Sequence, residues 1–126
     1  NVELDEDTVQ YKNDLRNDIF EAYTGILQGF RDDKSKIASL AQHARFILSF
    51  IEDVSKDPYR DASVTRNMIA LLGDMADTMD GIGELFKEKT FYQALFQELH
   101  SQSSDDTNFD STLHWASERI ALRLTQ

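Results

Sequence analysis

Apolar residues recur every three to four positions along almost the whole chain, and that period decides what it can fold into. Over 7–30, Leu15, Ile19, Ala22, Tyr23, Ile26, Leu27 and Phe30 fall on one side of a helix. Over 35–55 the stripe is Ile37, Leu40, Ala41, Ala44, Ile47, Leu48, Ile51 and Val54, widened by Phe46 and Phe50. Gln42, Arg45, Ser49, Glu52 and Asp53 form only a narrow polar strip, so this helix is expected to be packed on most sides. Pro58 forbids its continuation. A third helix over 61–79 carries Val64, Met68, Leu71, Leu72, Met75 and Met79. A fourth region over 82–99 breaks near Lys87-Glu88-Lys89 and restarts at Thr90 as an N-cap. There Phe91, Tyr92, Leu95, Phe96 and Leu99 point inward. Residues 101–107 read as an acidic loop with Asp105 and Asp106 in solvent, and 109–124 as a last helix with Leu113, Ala116 and Ile120 on a thin stripe. One proline and five glycines do not suit a turn-dense β fold, so the class is all-α.

The helix pairs recur at about 45 residues, the period of HEAT-type repeats. One pair spans about 7–55 and the next about 60–100, with a terminal helix over about 108–124, all in a single segment. A stacked solenoid and a closed bundle share this pattern. The net charge of −10 repels nucleic acid and anionic membrane, and attracts basic partners. No run approaches the roughly 18 apolar residues of a membrane span. The start, Asn1-Val2-Glu3-Leu4, has no initiator Met and no signal-peptide character, so a piece of a longer chain is expected. With no cysteine there is no thiol nucleophile, disulfide or thiolate zinc site. His43, His100 and His114 are scattered, and Gly81-Ile82-Gly83 lacks the remainder of a nucleotide fingerprint. No catalytic residue, cofactor or metal is assigned, and the expectation is a non-enzymatic binding role.

Four blocks in register resemble the C-terminal repeats of the importin-beta (karyopherin-beta) family. They are Glu21-Ala22-Tyr23-Thr24-Gly25-Ile26-Leu27-Gln28-Gly29, Phe46-Ile47-Leu48-Ser49-Phe50-Ile51-Glu52-Asp53, Leu71-Leu72-Gly73-Asp74-Met75 and Thr112-Leu113-His114-Trp115-Ala116. The resemblance implies a HEAT-repeat solenoid of antiparallel helix pairs, the first helix of each pair convex and the second concave. It also implies nuclear import. The concave face would bind the basic importin-beta-binding helix of importin alpha, or cargo, and the receptor would shuttle between cytoplasm and nucleus. Ran in its GTP form and nucleoporins would engage mostly earlier repeats. Two alternatives stay open: a related karyopherin that binds cargo directly, and a purely structural scaffold or cap. The face of the first helix around 15–30 would pack on a preceding repeat.

Within that resemblance the partner-binding residues are Trp115, Asp53, Glu52, Ser49 and Arg119. Spacing alone leaves Trp115 on the flank of its helix beside Arg119, either packed on a neighbouring helix or free to anchor a partner. Glu52 and Asp53 would meet the partner's Arg and Lys through charge-assisted hydrogen bonds. Asp74 and Asp77 are expected in solvent or orienting a loop. Tyr23 and Tyr92 read as core residues whose hydroxyls reach the edge. Phe86, Phe91, Tyr92 and Phe96 are core, with a groove for nucleoporin phenylalanines as the lesser reading.

Overall fold

A computed structural model describes residues 5–101 and 107–125. Within them the chain forms α1 (Glu6–Phe30), α2 (Lys34–Ala41), α3 (Ala44–Ser55), α4 (Ala62–Thr78), α5 (Gly83–Glu88), α6 (Phe91–Ser101) and α7 (Thr107–Leu124). No strand occurs among the described residues. The expected loop at Asp105 and Asp106 lies outside them.

Local chemistry sets several helix starts. The Asp5 carboxylate accepts the Asp7 N–H, Asp33 accepts the Lys36 N–H, and Asp61 accepts the Val64 N–H. The continuous helix expected over 35–55 is two helices. At the junction the Gln42 and His43 N–H groups bond back to the Ser39 and Leu40 carbonyls, three residues behind, which closes α2 in a tightened turn. The apolar period runs across this break unchanged, so spacing gave no sign of it. The chain reverses after α4 at Gly81, whose φ of 80° is the left-handed conformation that glycine adopts without strain.

The helices stack in two rows. In one, α4 lies between α1 and α7 and packs on both; in the other, α3 meets α6. The core runs through the stack from Phe20 and Leu27 to Leu113, Ala116 and Ile120. The most enclosed helix is α4, which buries Val64, Met68, Ile69, Leu71, Leu72, Met75 and Ala76 around most of its circumference. That corrects the expectation that the helix of Phe46 and Phe50 would be packed on most sides. Phe46, on a flank of α3 turned from the core, is 74% exposed. The α1 stripe is also turned from its expected setting: Asn13, Phe20 and Leu27 are buried, while Tyr11, Leu15 and Ile26 are exposed. Two contacts set that rotation. The Phe20 ring lies 5.5 Å from that of Phe50. Asn13 donates to the Tyr59 carbonyl at 3.2 Å and accepts the Asp61 N–H at 3.4 Å, tying α1 to the Pro58 loop.

Phe86, Tyr92 and Phe96 are buried core residues in edge-to-face contact, with Phe91 half-buried at their margin. Tyr23 packs half-buried on the core. The Tyr92 hydroxyl does not reach the edge; it is buried without a hydrogen-bond partner among the described residues.

Candidate partner interface

Successive residues of a helix point about 100° apart, which gives α3 four distinct sides. Ala44, Ile47, Leu48, Ile51 and Val54 face the core. Ser49 and Asp53, one turn apart, occupy the opposite pole; Asp53 is exposed and Ser49 half-buried. Phe46 and Phe50 lie on one flank. Arg45 and Glu52, two turns apart, lie on the other, toward the end of α5.

That second flank is bridged by charge. The Arg45 guanidinium grips the Glu88 carboxylate through both Nη atoms, with Nη2 to Oε1 at 3.2 Å. Hydrogen bonding from Arg45 holds the Glu88 carboxyl below its ordinary range, and the same bond raises the guanidinium. Beside this pair the two Glu52 oxygens are shared out: Oε1 lies 3.6 Å from Lys89 Nζ and Oε2 3.4 Å from Lys56 Nζ. Of the two adjacent acids, Asp53 has no ion-pair partner among the described residues, whereas Glu52 is held between two lysines.

Trp115 and Arg119 lie on α7, in the other row. The Trp115 ring is half-buried over Gly73 of α4, so close that a Cβ at Gly73 would fall 2.2 Å from Cζ3. Arg119 Nη1 reaches Asp77 Oδ1 at 3.6 Å, and its Nε is buried without an acceptor among the described residues. Arg31, capping the end of α1, binds the other Asp77 oxygen at 2.9 Å. One carboxylate thus joins the end of α1 to α4 and α7, which corrects the expectation of solvent exposure for Asp77 while it does orient the turn at Arg31. Arg123 completes the junction by donating to the carbonyls of Ala76 at 2.6 Å and Asp77 at 3.3 Å, where α4 leaves carbonyls unsatisfied. The structure does not gather the five anticipated residues into one site. Helix α3 packs on α4 and α6, and α7 packs on α4 and α5.

Asp74 is 9% exposed rather than solvated. Burial raises its pKa above the usual 3.8; Asp77 adds to the rise and Arg31 opposes it. A carboxyl with a raised folded pKa binds its proton more tightly when folded, so this group's contribution to stability falls as pH rises through the interval above 3.8. Asp74→Asn is therefore expected to raise the melting temperature at pH 7, with the advantage fading as pH falls toward 3.8. Melting curves of both chains from pH 3 to 8 check this; an advantage that does not depend on pH would contradict it. Asp57 behaves oppositely. Burial pushes its carboxyl up, but the Tyr59 N–H and the Arg16 guanidinium outweigh that and hold it low.

Neither Lys89 nor the Arg45–Glu88 pair was visible as part of this surface in the sequence. The two-turn spacing of Arg45 and Glu52 and the four-residue spacing of Glu52 and Lys56 were the signals, and neither names the segment across the gap.

A family model described as importin subunit beta-1-like, TPR repeats, matches residues 1–102. The chain is similar to importin subunit beta-1 of Arabidopsis thaliana, 33% identical over 117 residues that make up 92% of this chain and 13% of that protein. It is 28% identical to importin subunit beta-1 of Schizosaccharomyces pombe over 89% of this chain and 13% of the relative. It therefore spans about an eighth of the length of these relatives. A crystal structure of importin beta from an ammonium sulfate condition superposes with a TM-score of 0.86 at 21% identity, over 96% of this chain and 14% of the other. That likeness establishes the fold, a HEAT-type helical solenoid.

Proposed function

This chain belongs to the importin subunit beta-1-like family, and from that premise we propose that it forms part of a nuclear import receptor that holds a basic partner along the polar side of α3. The partner in this reading is the basic importin-beta-binding helix of importin alpha, or a basic cargo segment. The observation that carries it is the α3 pole, where exposed Asp53 and half-buried Ser49 stand next to Glu52 on a chain of net charge −10. Such a surface attracts a cationic helix at long range and meets its Arg and Lys by charge-assisted hydrogen bonds at short range. Trp115 and Arg119 contribute by fixing α7 on α4, with their exposed edges available to the far end of the partner. The role is binding without catalysis. Shuttling between cytoplasm and nucleus, and contact with Ran-GTP and nucleoporins, belong in this reading to the full receptor, mostly through earlier repeats.

Titration of the chain with a labelled importin-beta-binding segment of importin alpha at low and high salt tests the reading. Affinity is expected to fall with salt, and Asp53→Asn to weaken it about two- to fivefold at low salt. Binding that ignores both salt and Asp53 would overturn the reading, as would no binding at either salt concentration.

A further inference from the structure

The acidic side of α3 is already partly occupied by this chain's own cations. Glu52 is 28% exposed, and each of its oxygens faces a different ammonium, Lys89 at 3.6 Å and Lys56 at 3.4 Å. Asp53, the next residue, is exposed and unpaired among the described residues. The two lysines arrive by different routes. Lys56 is one turn further along, at the end of α3, on a largely exposed side chain. Lys89 is the extended residue that ends α5, with only 20% of its side chain exposed. Its neighbour Glu88 is anchored to Arg45, so Lys89 is delivered to Glu52 in a fixed register. An ammonium on Glu52 is the same contact that a Lys or Arg of a basic partner would make there.

We propose that Lys56 and Lys89 are built-in competitors for the partner, occupying Glu52 until a cationic side chain displaces them. This rests on the reading of α3 as a basic-partner surface. Glu52 becomes a conditional contact and Asp53 an unconditional one, so α3 discriminates among cationic partners. A helix with a single basic residue at this level is served by Asp53 alone. A helix with two adjacent basic residues must also expel at least one lysine. The competition lowers affinity for every cation in proportion to how far it depends on Glu52.

The test compares the same labelled importin-alpha segment on the chain and on five variants: Lys89→Met, Lys56→Met, Lys87→Met, Glu52→Gln, and Lys89→Met combined with Glu52→Gln. Lys87 is the control for net charge. It sits two residues from Lys89 but pairs with Glu84 within α5 and does not touch Glu52. Removing Lys89 is expected to tighten binding about two- to fivefold beyond the Lys87→Met control, as loss of one partly shielded ion pair implies. Lys56→Met gives a smaller gain because that ammonium is more exposed. In the Glu52→Gln background the Lys89→Met gain disappears. Equal gains from Lys87→Met and Lys89→Met would overturn the proposal, as would a gain that survives Glu52→Gln; either leaves the α3 surface reading intact. If the unmodified chain shows no salt-sensitive binding, the reading of α3 fails and the proposal falls with it.

Discussion

Replacing Gly73 by alanine is expected to lower the unfolding free energy by about 1–2 kcal/mol, and by leucine about 3 kcal/mol or more. The sign is the informative part. In an exposed helix interior, glycine to alanine stabilises by roughly 1 kcal/mol. At Gly73 the new Cβ would lie 2.2 Å from Cζ3 of Trp115, 2.7 Å from Cε3 and 3.0 Å from Cη2. The indole can yield only by leaving the surface where α7 packs on α4. Trp115→Ala empties the same place and is expected to cost about 3 kcal/mol, at the low end for a large aromatic because the ring is half-buried. Combining Gly73→Ala with Trp115→Ala should then cost clearly less than the sum, since the added methyl enters space the indole has left. Urea unfolding of the two single variants and the double variant gives the coupling directly. Strict additivity would mean that Trp115 does not rest on Gly73.

The second large effect is expected at Gly83, the first residue of α5. Alanine there places a Cβ 2.3 Å from the Arg123 carbonyl oxygen and 2.9 Å from its carbon. These are backbone atoms of α7, so no side-chain rotation relieves the clash, and the last turn of α7 or the start of α5 must shift. A cost of about 3 kcal/mol follows, the upper part of the usual overpacking range. The shift also loosens the Arg123 guanidinium from the Ala76 and Asp77 carbonyls, which are left without their charged donor. Arg123→Met, which removes the donor without the clash, should cost about 1.5–3 kcal/mol as lost charge-assisted bonds. The two changes together should cost less than their sum, because Gly83→Ala already breaks part of what Arg123→Met removes. Thermal and urea unfolding measure all three; a Gly83→Ala chain as stable as the parent would show that α7 does not sit on α5 this closely.

Much of the architecture was legible in the residue order. Helix starts expected at 7, 35 and 61 fall within a residue of the observed ones, and the interruption at Lys87-Glu88-Lys89 is a real boundary between α5 and α6. Much of the site was not. Trp115 reads as a flank residue by spacing, and only the absence of a side chain at Gly73, forty-odd residues earlier, turns that flank into a packed face. Asp77 likewise looks like one more acid on a solvated helix until Arg31 and Arg119 arrive from two other helices.

What the sequence determined by itself is the all-helical class, the approximate extent of most helices and the acidic character of the chain. Those depend on residues within a few turns of one another, through periodicity, capping and summed charge. Only the tertiary structure decided which face of α1 turns inward, that α4 and not α3 is the enclosed helix, and that Lys89 reaches Glu52 while Asp53 has no ion-pair partner among the described residues. Each of those outcomes depends on segments far apart in the chain, and helical periodicity records that a residue has a side, not which segment will lie against it.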